Sequence, residues 1–256
     1  MTFEDILYTK ESGVARITIN RPHAFNAFTT QTLKEIVGAL EDAALDEDVR
    51  VVVLRGAGDK AFCTGGDVNE SKNGGYNRDM DYWHTRVHQM LREISKPVIA
   101  AVNGWAIGGG HILHVICDIS IAADTAKFGQ AGPRVGSFDA GFGAAYLARV
   151  VGEKRAREIW FFCRQYTAQQ ALEMGLVNKV VPLADLDREV DAWCAEIKEL
   201  SPYALKFLKH AFNADTDHIS GFETLSMAAV RLFWESDEAK HYKTKFIAGK
   251  KAREST

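Results

Sequence analysis

The sequence predicts an α/β fold, on three observations. Val51-Val52-Val53-Leu54 and Pro97-Val98-Ile99-Ala100-Ala101-Val102 are short continuous apolar runs, the pattern of strands covered on both faces. Helical spacing lies between such runs, as in Leu33, Ile36, Val37, Leu40 and Ala44. Helical signals then dominate roughly the last hundred residues. Taken in order, Gly13-Val14-Ala15-Arg16-Ile17-Thr18-Ile19-Asn20 alternates as a half-buried strand, and Arg21-Pro22 ends it because proline cannot continue the ladder. Residues 69–83, rich in Asn, Gly, Asp and Lys with Tyr76 and Tyr82 among them, read as a loop beside a site or a surface insertion. Thr167-x-x-Gln170 is a capping-box pattern, Gly175 a helix-ending glycine, and Ser201-Pro202 an N-cap followed by proline at N1. Leu186, Val190, Trp193, Ile197 and Leu200 form an apolar stripe expected to face a core. No short-period repeat and no Pro- or Ser-rich linker is visible, so residues 1–200 read as one core and 201–256 as a helical C-terminal extension.

Composition removes several function classes. The 256 residues are 46% apolar and 25% charged, with a formal net charge of −3. That balance gives no general attraction to nucleic acid or an acidic membrane surface, so an anionic ligand needs a local basic cluster. Cys63, Cys117, Cys163 and Cys194 are scattered without C-x-x-C spacing, which disfavours a disulfide framework and a zinc knuckle. The opening MTFEDILYTKE lacks a basic region followed by an apolar one, and no apolar run approaches about 18 residues, so a soluble, cytoplasmic protein is expected.

The chemistry concentrates in glycine turns. Gly108-Gly109-Gly110 opens an apolar helix, and Gly136-Ser137-Phe138-Asp139 follows soon after. Glycines let the backbone approach a ligand, and the unpaired amides of a first helical turn favour developing negative charge. For these three glycines alone, an oxyanion trap and a close-packing turn are balanced readings. A second turn, Cys63-Thr64-Gly65-Gly66-Asp67, follows the strand at 51–54 and can supply a second amide donor, which tips the balance. Asp139, a turn-former when taken by itself, then reads as a carboxylate beside an anion site. His111 and His114 read as packed histidines, since no third ligand at metal spacing accompanies them.

At AFCTGGDV, KPVIAAVNGWAIGGGHILHVICDISIAAD and FGQAGPRVGSFDAGFG the sequence resembles the crotonase (enoyl-CoA hydratase/isomerase) superfamily, over about residues 3–236. The resemblance implies a spiral of ββα units, a dimer-of-trimers homohexamer with the C-terminal extension in trimerisation and as site cover, and an acyl-CoA substrate. It also implies that the amides of Gly66 and Gly109 hold the thioester oxygen, with no metal or redox cofactor. Arg21, His23 and Ala24, in RPHAFNAF, match the region that meets coenzyme A. Lys245, Lys250 and Lys251 are tail lysines able to reach its nucleotide, although such a run is usually a solvated end. Where hydratases of the superfamily place two glutamates, this chain has Ile112 and Gly132. Ordinary hydration is therefore disfavoured, since adding water to a double bond needs carboxylates to move protons.

Further blocks, including AYLARVVGEKRAREIWFFCRQYTAQQALEMGLVNKVVPL and SPYALKFLKHAFNAD, resemble the 1,4-dihydroxy-2-naphthoyl-CoA synthase family of menaquinone biosynthesis, which closes a ring on o-succinylbenzoyl-CoA. The resemblance implies that Gln130, Gly132 and Trp160 hold a bicarbonate, with Gly132 leaving the room. It assigns Asp139 to proton relay and Ser137 to orienting the substrate, and Tyr76 matches a loop tyrosine. Three features depart from that family: Trp234 replaces an active-site tyrosine, Val68-Asn69-Glu70-Ser71-Lys72 replaces a Gln followed by basic residues, and IAGKKAREST replaces a tail containing proline and aromatics. These departures keep a sister activity open, the retro-Claisen ring opening of the 2-ketocyclohexanecarboxyl-CoA hydrolases. A non-catalytic acyl-CoA- or RNA-binding homologue is a different class. The presence of Ser137 and Asp139, and the lack of basic bias, argue against it.

Overall fold

The computed structural model describes residues 3–72, 78–138 and 143–254. Strand β1 (Ile6–Glu11) pairs antiparallel with β2 (Val14–Ile19). A 3-10 turn at Pro22–Ala24 leads to α1 (Thr30–Leu45), whose N-cap Thr29 exchanges side-chain and backbone hydrogen bonds with Thr32. Among the described residues the chain then repeats one unit three times: a strand, a shorter strand, then helix. The first is β3 (Val51–Gly56), β4 (Ala61–Cys63), α2 (Val68–Lys72) and α3 (Arg78–Glu93). The second is β5 (Val98–Val102), β6 (Trp105–Ile107) and α4 (Gly109–Ile116). The third is β7 (Ile119–Ala123), β8 (Lys127–Gly129), α5 (Gly143–Val151) and α6 (Glu153–Phe162). Strand β9 (Gln165–Thr167), α7 (Ala168–Glu173) and β10 (Lys179–Val181) precede α8 (Leu186–Lys198), α9 (Pro202–Ala214), α10 (Ser220–Glu235) and α11 (Asp237–Glu254).

Each unit steps one place sideways in two sheets at once. The larger sheet has the order β1-β2-β3-β5-β7-β10, parallel from β2 onward, and the smaller the order β4-β6-β8-β9. The result is the expected spiral of ββα units. Successive residues of β3 point to opposite faces: Val52 and Leu54 join the cluster containing α1 and α4, whereas Val51 and Val53 meet Leu186, Val190 and Cys194 of α8. Both faces are dry, which is why the sequence runs apolar without alternation there.

The Thr167 capping box, Gly175 at φ 75° and the Ser201 cap form as expected, and all four cysteines are buried and free. Two sequence expectations need correction. Leu200 of the α8 stripe lies beyond the helix end and is exposed. Segment 69–83 is largely helical: α2 holds 68–72, and Tyr82 lies on α3. The inward face of α3 carries Asp81, His84 and His88 among Met80, Val87 and Leu91, so polar residues interrupt the apolar period that would have announced a helix. Tyr76 lies outside the described residues.

Candidate active site

The three parallel strands of the smaller sheet end side by side, and a candidate site residue follows each. Beyond β4 comes Gly65-Gly66, beyond β6 Gly108-Gly109, and beyond β8 Gln130 and Gly132. The Gly108 amide donates to the Gly129 carbonyl at 3.1 Å, and Gln130 Nε2 donates to the Gly108 carbonyl at 3.4 Å, stitching neighbouring turns together. Phe28 and Gly66 form an isolated bridge in which the Phe28 amide donates to Gly65 O at 2.8 Å and the Asp67 amide to Phe28 O at 2.9 Å. Alternation then directs the Gly66 N–H away from Phe28. Gly109 is the first residue of α4, and its amide has no acceptor within the helix. The two turns touch: a β-carbon on Gly65 would lie 3.1 Å from the Gly109 nitrogen. Glycine is required on the α4 side as well, because a β-carbon at Gly110 would fall 1.9 Å from the Cys63 carbonyl oxygen.

Arg21 is held against the first glycine turn. Its guanidinium pairs with Asp67 at 2.9 Å and Asp5 at 3.4 Å and donates to the Ala27 carbonyl. These contacts brace the Gly65-Gly66 turn against the 21–27 segment. Burial alone would raise the Asp67 carboxyl, but the Asn69 amide and Arg21 hold it below its ordinary value. His23 is exposed and Ala24 half-buried on the turn at Pro22–Ala24, close in sequence to this brace. Lys245 is exposed on α11, which also carries Lys250.

The bicarbonate residues fit in part. Trp160 is buried on α6, which packs against the 3-10 turn at Gly132–Arg134, and among the described residues its indole Nε1 has no hydrogen-bond partner. That is a donor suited to an anion. A β-carbon on Gly132 would lie 3.0 Å from Ser137 O and 3.1 Å from Phe138 Cα, so a side chain there needs the neighbouring backbone to give by a few tenths of an ångström. Ser137 is half-buried, its amide donating to Gly132 O at 2.9 Å. Phe138 packs with Met227, Val230 and Trp234 of α10, so Trp234 joins the wall beside Ser137, with Lys243 Nζ 4.6 Å from its ring centroid. Asp139 lies outside the described residues.

A polar cluster was not singled out in the sequence. His84 and His88 of α3, ring centroids 4.2 Å apart, meet Glu223 of α10, whose Oε1 is 2.9 Å from His88 Nδ1. All three are at most 3% exposed. Burial pushes the Glu223 carboxyl up to about 8 and holds His88 down at about 3, with His84 also well below the ordinary imidazole value. The His84 ring is 5.6 Å from that of Phe28, whose Cε1 would lie 2.8 Å from a β-carbon on Gly109. The i,i+4 histidines were a visible signal, but Glu223 is distant in sequence. His111 and His114, by contrast, are buried against each other and Ser120, as packed histidines.

The enoyl-CoA hydratase/isomerase family model matches residues 9–252. An enoyl-CoA hydratase/isomerase from Xanthobacter autotrophicus Py2 is 30% identical over 98% of this chain and 99% of its own, with a TM-score of 0.88. A carnitinyl-CoA hydratase from Mycobacterium avium is 31% identical over 97% of both chains, with a TM-score of 0.86. An enoyl-CoA hydratase from Mycobacterium avium subsp. paratuberculosis K-10 is 27% identical over 95% of this chain and 99% of its own, with a TM-score of 0.87. Fold and relatives together define an acyl-CoA enzyme of the crotonase class. The chain belongs to the enoyl-CoA hydratase/isomerase family. No helix among its described residues is long and apolar enough to cross a membrane.

Proposed function

We propose that this enzyme performs thioester-enolate chemistry on an acyl-CoA and closes a ring as the 1,4-dihydroxy-2-naphthoyl-CoA synthases do, by intramolecular Claisen-type condensation of o-succinylbenzoyl-CoA. The observation that carries the reading is the contact of two glycine turns at one sheet edge, with no carboxylate at Ile112 or Gly132. The amides of Gly66 and Gly109 hold the thioester oxygen as it gains charge, which lowers the cost of removing the neighbouring C–H proton. Ser137 orients the second carbonyl and Asp139 relays its proton, and Tyr76 and Trp234 complete the proposed catalytic set. The indole N–H of Trp160, without a partner among the described residues, and the Gln130 amide support a bicarbonate, which would supply the carboxylate-like base that positions 112 and 132 lack. Arg21, His23, Ala24 and Lys250 are the proposed contacts to coenzyme A.

A homohexamer, dimer of trimers, accompanies this reading. Tyr203, Phe207, Leu208 and Phe212 of α9 are exposed, an apolar face of the kind that subunits cover, within the 201–256 extension. A cytoplasmic location is proposed with it. Trp234 beside Phe138 favours a second reading, ring-opening hydrolysis of 2-ketocyclohexanecarboxyl-CoA, because indole donates only through N–H and cannot replace a phenolic hydroxyl. The same enolate would then be the leaving group.

Mass spectrometry of both CoA esters, each with and without bicarbonate, tests the proposal. Loss of about 18 mass units from o-succinylbenzoyl-CoA is expected; gain of about 18 on the alicyclic ester would select ring opening instead. No change in either would refute both.

A further inference from the structure

We infer that His84, His88 and Glu223 form a polar subsite for an oxygen on the acyl group, so that the substrate carries a ketone or hydroxyl beyond its thioester rather than a plain hydrocarbon chain. This rests on the enolate reading of Gly66 and Gly109 and names the substrate class for that site.

Position is the first argument. The Phe28 ring meets both Gly109 and His84, its Cε1 2.8 Å from where a β-carbon on Gly109 would lie and its centroid 5.6 Å from that of His84, so the cluster lies one phenyl ring from the proposed thioester anchor. On α10, Glu223 shares its inward face with Met227, Val230 and Trp234, at helical intervals, and these pack around Phe138 beside Ser137. The trio therefore continues the wall that begins at Ser137.

Unmet hydrogen bonding is the second. Among the described residues, His84 Nδ1 and Glu223 Oε2 are buried without a partner. Buried polar atoms are nearly always paired, because an orphan gives up its hydration for nothing. Two orphans in one cluster mark a place that a partner fills. An aliphatic acyl chain there would leave both unmet, whereas a carbonyl or hydroxyl oxygen can accept from one group and, as a hydroxyl, donate to another. Burial leaves the imidazoles and the carboxyl uncharged near neutrality, which suits a neutral oxygen better than an ionised one. A site built this way rejects analogues lacking the polar group far more strongly than an apolar pocket rejects a missing methylene.

The test is calorimetric binding of two unreactive esters to the full chain, cyclohexanecarboxyl-CoA and 2-hydroxycyclohexanecarboxyl-CoA. Wild type should bind the hydroxylated ester at least about tenfold more tightly, the scale of one buried hydrogen bond. His84→Phe and Glu223→Leu should bring the ratio near one, and Glu223→Gln, which keeps hydrogen-bonding atoms, should restore part of it. Thermal unfolding of each variant confirms a folded chain. Equal affinities in wild type, or a ratio untouched by these substitutions, would overturn the inference. So would stoichiometric Zn2+ binding by wild type that both apolar variants abolish with no hydroxyl preference, which would make the trio a metal centre. If neither ester binds, the enolate reading falls with it; if both bind equally, only the subsite does.

Discussion

Placing a methyl group on Gly109 is the sharpest test of the sheet-edge site. The residue begins α4 with ordinary helical geometry, so alanine meets no backbone penalty there, and its cost comes from contact alone. The new β-carbon would sit 2.8 Å from Phe28 Cε1 and 2.9 Å from Cζ. Phe28 is 1% exposed and packed in the main core. Either that ring or the Gly109 amide must retreat by about 0.6 Å to reach normal contact, and overpacking of this kind costs about 1–3 kcal/mol. Misplacing an oxyanion donor costs about 10²–10³-fold in turnover. Gly109→Ala should therefore lower stability in urea by about 1–3 kcal/mol and cut kcat by about two to three orders of magnitude. In a Phe28→Leu background, where the clashing ring atoms are gone, adding the methyl group should cost less than about 0.5 kcal/mol. A full penalty in that background would refute the contact reasoning, and wild-type turnover in the single variant would refute the donor role.

Arg21→Met should destabilise the chain by about 3–5 kcal/mol in urea unfolding, because it leaves the buried Asp67 carboxylate without its partner; a loss below about 1 kcal/mol would mean the brace is ornamental. Gly132→Asp should free the reaction from added bicarbonate while lowering stability by about 1–3 kcal/mol, since its β-carbon presses on the Ser137–Phe138 backbone; activity still dependent on bicarbonate would count against the anion site. Acid should destabilise the fold through its buried histidines. Their folded values are depressed, to about 3 for His88 and His111, so their contribution is complete above the ordinary imidazole value of 6.5 and is lost as pH falls from there toward 3. Each supplies a slope of about 1.4 kcal/mol per pH unit in that window. Glu223, raised to about 8, has the opposite sign and loses stability as pH rises from 4.5 to 8, so it offsets only part of the histidine slope. A melting temperature unchanged between pH 7 and 5 would contradict this.

The α/β class, the dry strands β3 and β5, the Thr167 box and both glycine turns were legible in the sequence, because burial on two faces and local capping leave patterns within a few residues. What the chain order could not reveal is that Gly65-Gly66, Gly108-Gly109 and Gln130 lie in one row, since that follows from the sideways step of successive units into a second sheet. Nor could it reveal that Arg21 pairs with Asp67, or that a β-carbon on Gly132 would press on the Ser137–Phe138 backbone. Helix α3 was hidden for a related reason: His84, His88 and Asp81 take inward positions that an apolar period would fill, and only packing against Phe28 and Glu223 explains them. Local periodicity determined which elements form. Contacts between residues far apart in sequence decided which polar groups are buried together, and so which of them can act as a site.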